Sequence, residues 1–127
     1  MTQNDPVASA LSKIHNAEKI GQKTVTLRQS SKLIKKVLTI MNEQGYVGSY
    51  EDGDHRSLII HLLGKINKCG SVKPRSSVKN DEYEKFEKRH LPAKNFGIVI
   101  VSTSKGLMTF HDAKKLQLGG RLLAYCY

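Results

Sequence analysis

Four β-branched residues in a row, Ile98-Val99-Ile100-Val101, run straight into Ser102-Thr103-Ser104-Lys105-Gly106. A short continuous apolar run with no alternation reads as a buried central strand. The polar stretch behind it reads as a loop that a rigid strand would hold in place. It carries three short hydroxyls, each able to donate and accept, then a cation and a glycine.

The rest of the chain supplies partners for such a strand. Asp5-Pro6 opens a helix, with Asp as N-cap and Pro at the first helical position. Val7, Ala10, Leu11, Ile14 and Ala17 follow at helical spacing, and Gly21 stops it. Thr24 to Arg28 alternates as a strand. Ser30 or Ser31 caps a second helix with an apolar face of Leu33, Ile34, Val37, Leu38 and Met41, ended by Gly45. Tyr46–Tyr50 and Ser57–Leu63 read as a strand pair around Asp52-Gly53, with Leu58, Ile60 and Leu62 on one face. His61, on the other face, reads as a packed strand residue. Gly64 to Arg75 reads as a linker entering a second lobe. Asp81–Arg89 is a charged helix stopped by Pro92, and its acids read as solvated. Thr109 and Asp112 form a capping box for a short helix through Leu116. Gly119-Gly120 is a turn into a final strand, Arg121–Tyr127.

The expected architecture is therefore α+β in two small lobes. Residues 1–64 form an N-terminal α-β-α-β-β lobe, whose helices need a sheet face to cover their apolar stripes. Residues 65–127 form a C-terminal lobe, mostly β with short helices.

Charge narrows the partner. The chain has 127 residues, with Lys plus Arg at 21 and Asp plus Glu at 11, a net +10. With 39% hydrophobic residues it has material for a core, so it is a folded domain and not a basic tail. Such a domain suits a polyanion. Residues 61–95 carry nine positive and four negative charges, whereas residues 36–60 carry two and four. The acidic stretch Glu43–Asp54 should point away from nucleic acid. Lys65, Lys68, Lys73 and Arg75 fall together in the linker.

Other classes fall away. No apolar run approaches the ~18 residues of a membrane span, and Met1–Ala10 is not a secretory signal. Two distant cysteines, Cys69 and Cys126, make no disulfide framework and read as reduced thiols. The five histidines show no metal-ligand spacing with them. No phosphate loop and no nucleophile elbow frames a serine. Trp is absent and aromatics are 6%, so base stacking is not the main device. No recognition helix or zinc-finger spacing points to DNA.

The hydroxyl loop suits RNA, whose shallow minor groove offers 2′-hydroxyls, phosphates and base edges. The same loop also reads as a turn whose hydroxyls satisfy backbone groups. Gly119-Gly120 likewise reads either as a turn or as backbone passing close to a ligand.

A specific resemblance sharpens these readings. Asn4-Asp5-Pro6-Val7-Ala8, Ile14-His15-Asn16-Ala17-Glu18-Lys19, Ser31-Lys32-Leu33-Ile34, Gly45-Tyr46-Val47-Gly48, Phe96-Gly97-Ile98, Val101 to Met108 and Gly119 to Tyr125 follow in order. The chain resembles, over its whole length, the universal small-subunit ribosomal protein number eight, the S-eight family. Asn67-Lys68-Cys69-Gly70, Pro74-Arg75 and Leu91-Pro92-Ala93-Lys94 are similar to its archaeal and eukaryotic branch. The resemblance implies a structural constituent of the small ribosomal subunit, cytoplasmic on the ribosome. It implies a primary binder that recognises and stabilises a helix in the central domain of small-subunit rRNA during assembly. Neighbouring small-subunit ribosomal proteins are the other implied partners, with no enzymatic activity, cofactor, metal, membrane or small-molecule substrate. The alternative is an extra-ribosomal RNA-binding regulator of mRNA translation. The implied RNA contacts are Ser102, Thr103, Ser104 and Lys105, with Gly119 and Gly120 near the RNA backbone. Ser31 and Lys32 are implied in the N-terminal lobe, and Lys68 and Arg75 are expected at phosphates. The family's pattern has a left-handed glycine where this chain has Gln117.

Overall fold

The computed structural model describes residues 6–28, 31–72, 77–79, 81–92 and 96–127. Two compact units divide the chain, Met1–Gly70 and Ser71–Tyr127. The division falls later than the break expected after Gly64, and residues 65–70 go with the first unit. Ile66 is buried there, and the Cys69 thiol donates to the Leu11 carbonyl at 3.5 Å.

The first unit runs α1 (Pro6–Ile20), β1 (Thr24–Leu27), α2 (Lys32–Glu43), β2 (Val47–Asp52) and β3 (Leu58–Leu62), the expected α-β-α-β-β. α2 shows how its residues dictate a helix. Ser31 takes extended angles and its Oγ accepts from the Ile34 N–H at 3.2 Å, filling one orphan donor of the first turn. At the other end Gly45 turns left-handed at φ +81°. Tyr46 N–H then donates to the Met41 carbonyl (2.9 Å) and Gly45 N–H to the Asn42 carbonyl (3.0 Å). This paired closure needs a left-handed residue, which glycine supplies without a Cβ penalty. Gly21 closes α1 in the same way at φ +88°. Asp5, the expected cap of α1, lies outside the described residues.

The three strands form an antiparallel sheet in the order β1-β3-β2. Leu58 and Ile60 are buried, together with Val7, Leu11 and Ile14 of α1 and Ile34, Val37, Leu38 and Met41 of α2. His61 departs from expectation. It is half-exposed and its Nε2 lies 2.8 Å from Glu51 Oε1, while Lys35 pairs with Asp52 at 3.1 Å. The acidic stretch thus finds a lysine and a histidine as partners within its own unit. The turn at Asp52-Gly53 is also longer than a two-residue hairpin. It passes through a 3₁₀ turn, Asp54–Arg56, with His55 at φ +54°.

The second sheet is built from β4 (Cys69–Ser71), β5 (Ser77–Val78), β6 (Ile98–Thr103), β7 (Gly106–Thr109) and β8 (Gly120–Cys126). Its order is β4-β8-β6-β7, with β5 also pairing β8. The apolar run is the buried inner strand, as predicted: Ile98, Val99, Ile100 and Val101 are all buried in β6. α3 (Tyr83–His90) and α4 (Phe110–Lys115) add Tyr83, Phe86, Phe110 and Ala113 to a core that includes Val99, Val101 and Leu122. The Thr109 cap is present, its Oγ1 accepting from Asp112 N–H at 3.3 Å. Glu87 contradicts the solvated reading of α3, since it is 3% exposed. Burial of a carboxylate requires polar partners, and among the described residues no buried side-chain nitrogen or oxygen lacks one.

Both cysteines are buried and free. Burial, and secondarily the Glu18 carboxylate, pushes the Cys69 thiol up to about 12. It is therefore an inert core thiol. No helix among the described residues is long and apolar enough to cross a membrane.

Candidate nucleic-acid interface

The hydroxyl run is a strand end and a tight turn, not a loop over its whole length. β6 carries Ser102 and Thr103, the turn is Ser104-Lys105, and β7 starts at Gly106. Thr103 pairs with Gly106 across the hairpin. The turn's positive φ falls on Gly106, at +113°. A Cβ there would meet nothing within 4 Å, so the need for glycine is conformational and not a matter of close approach.

The three hydroxyls divide their work. Thr103 Oγ1 donates to the Gly106 carbonyl at 2.8 Å and accepts from the Lys105 N–H at 3.2 Å. It holds the turn and has little left to offer a ligand. Ser102 and Ser104 are exposed, and neither hydroxyl has a hydrogen-bond partner among the described residues. Lys105 is exposed beside them. The backbone satisfies itself through Thr103, which leaves the two serines free to read something outside.

The other side of this edge is β8. Gly120 lies opposite Thr103 and Arg121 opposite Ser102. A side chain at Gly120 would collide with the Ser102 carbonyl and the Val101 side chain, so only glycine lets β8 pass this close. Gly120 is the first residue of β8, and the exposed Gly119 precedes it. Five predicted residues therefore meet at one edge, Ser102, Thr103, Ser104, Lys105 and Gly120, with Gly119 adjoining.

The segment feeding this edge leaves α4 through the closure seen at Gly45, but without a glycine. Gln117 stands at φ +57°. Its N–H donates to the Lys114 carbonyl (3.1 Å) and Leu118 N–H to the Ala113 carbonyl (2.9 Å). A left-handed non-glycine residue costs roughly 1 kcal/mol. The Leu118 carbonyl accepts from the Tyr83 hydroxyl at 2.7 Å. Tyr83 is 2% exposed, and burial raises its phenol above the ordinary value, so it stays a donor.

The remaining predicted residues lie elsewhere. Ser31, Lys32 and Lys68 belong to the first unit, where Ser31 spends its oxygen on the α2 cap and both lysines are exposed. Arg75 lies outside the described residues. Two residues, one at the edge and one beneath it in the core, escaped sequence reasoning. Arg121 is exposed beside Ser102 but was read as the start of a closing strand; the contrast with buried Leu122 is the signal that it faces out. Tyr83 lies in the charged run of α3, and nothing local announces a hydrogen bond to Leu118. No group of three or more His, Cys, Asp or Glu among the described residues could hold a metal.

A family model described as Ribosomal protein S8 matches residues 5–127. The chain belongs to the ribosomal protein S8 family. It is thus a structural protein of the small ribosomal subunit that binds rRNA and neighbouring ribosomal proteins and serves translation. Members of the S8 family are structural RNA-binding proteins, not enzymes. The match spans both units, so the hydroxyl hairpin and the N-terminal lysines belong to one rRNA-binding chain.

Proposed function

We propose that this protein recognises and stabilises a helix in the central domain of small-subunit rRNA during assembly, with the Ser102–Gly106 hairpin as its reader. The observation that carries this is the division of labour among the hydroxyls. Thr103 locks the turn, while Ser102 and Ser104 stand exposed and uncommitted at the end of a buried strand. Such groups reach 2′-hydroxyls and base edges of an RNA minor groove, and Lys105 and Arg121 beside them supply phosphate contacts. Gly119 and Gly120 run next to the RNA backbone. Lys32, Lys68 and Arg75 add affinity without sequence preference. Ser31 contributes through its O–H, while its oxygen accepts from the Ile34 N–H in the α2 cap.

The test is Ser104→Leu. Binding to a small-subunit rRNA fragment should fall more than about tenfold at fixed salt, as expected for loss of a polar contact plus a clash. Binding to an unrelated duplex RNA and the unfolding midpoint should hold. Lys68→Ala should weaken both RNAs alike and flatten the salt dependence by about one phosphate contact. Equal loss of both RNAs in Ser104→Leu, or no loss, would remove the hairpin from the reading.

A further inference from the structure

The hairpin has a support in the core of the second unit, at the start of α3. We propose that the Tyr83 hydroxyl is a positioning residue for rRNA recognition, fixing the Leu118–Gly120 backbone against which Ser102 and Thr103 are set. The inference rests on the hairpin being the reader.

The chain of contacts is short. Tyr83 opens α3 and is 2% exposed in the core of the second unit, so its ring has no freedom to swing. Its O–H reaches the Leu118 carbonyl at 2.7 Å, spanning 35 positions in sequence. Leu118 is two residues from Gly120, which pairs with Thr103 and packs so tightly on the Ser102 carbonyl that no side chain fits. A small shift of the 118–120 backbone must therefore move Ser102 or open the pairing.

The same segment leaves α4 through Gln117 in a left-handed conformation that glycine, not glutamine, favours. Its two closure bonds run back to Lys114 and Ala113, inside the α4 turn itself. The Tyr83 bond ties this stretch to a second helix, α3. A phenol is well suited to the task. It stays protonated in the core and makes a single directed bond, and its ring belongs to the same buried cluster as Phe86, Phe110 and Leu122. Where strained backbone is held by a directed bond next to a surface, the hold has to come from surrounding structure.

The test uses the full chain and Tyr83→Phe, which removes one oxygen and keeps the ring. Affinity for the small-subunit rRNA fragment should drop about tenfold, affinity for unrelated duplex RNA should hold, and amide exchange at Leu118, Gly119 and Gly120 should quicken while β6 stays protected. Val72→Ala, a truncation in the same core at a residue whose N–H donates to the Leu123 carbonyl, is the control. It should lower the unfolding midpoint without changing the ratio of specific to unspecific affinity. If Tyr83→Phe and Val72→Ala lower that ratio alike, or if Tyr83→Phe quickens exchange without changing it, the positioning role is wrong. Ser104→Leu run alongside separates the two claims. When it abolishes specificity and Tyr83→Phe does not, only the positioning role falls; when it has no effect, both fall.

Discussion

α2 and α4 are built to one plan and finish differently. Each starts on a hydroxyl cap, Ser31 bonding Ile34 N–H and Thr109 bonding Asp112 N–H. Each ends on the same pair of backbone bonds around a left-handed residue. In α2 that residue is Gly45 at φ +81°, and in α4 it is Gln117 at φ +57°. The relaxed end lies in the first unit, leading into β2. The strained one leads into Gly119-Gly120 and the edge that carries the free serines. Serine itself shows the same contrast. Ser31 commits its oxygen to a helix cap, whereas Ser102 and Ser104, likewise exposed, make no such bond.

Three measurements sharpen or break this contrast. Ser31→Ala should cost about 1 kcal/mol, the usual worth of a hydroxyl cap, seen as a lower urea midpoint. Its effect on specific rRNA affinity should stay below that of Ser104→Leu; the reverse order would mean that the two regions have been given each other's roles. The reciprocal exchange of the C-terminal residues comes next. Gly45→Gln should destabilise by roughly 1 kcal/mol, and Gln117→Gly should stabilise by up to about the same amount. If Gln117→Gly destabilises, the left-handed end of α4 is held by contacts that the side chain itself provides.

The smallest effect is one of pH. Burial first, and the adjacent Arg89 second, lower the pKa of His90 at the end of α3, where its ring stacks on Tyr125 at 5.5 Å. A histidine with a folded pKa below its unfolded value near 6.5 binds more protons when unfolded. Stability is therefore greatest above that value and declines as pH falls from about 6.5 through the lower folded value. His90→Gln should flatten this slope in urea titrations between pH 7 and 5, and an unchanged slope would assign it to another group.

Much of this was legible in the sequence because it rests on local chemistry. The caps at Ser31 and Thr109, the stops at Gly21 and Gly45, and the buried run at Ile98–Val101 each follow from a few neighbouring residues. The left-handed angle at Gln117 was legible only through the family resemblance. What could not be read depends on pairing across the chain. β5 is two residues long, and β7 exists only because β6 folds back on it through Gly106. Glu87 sits among charged neighbours in sequence, yet its helical position turns it inward. His61 alternates like a packed strand residue, but Glu51 on the next strand holds it at the surface. At the candidate site the residue types were evident and their roles were not. Thr103 looks like its serine neighbours until its two bonds are seen.

The most direct test of the account is a chemical footprint of the purified chain on deproteinised small-subunit rRNA, compared with Ser104→Leu. Protection should concentrate on one helix of the central domain and be lost in the variant although it remains folded. Protection that survives the substitution intact, or a folded wild-type chain that protects nothing, would contradict it.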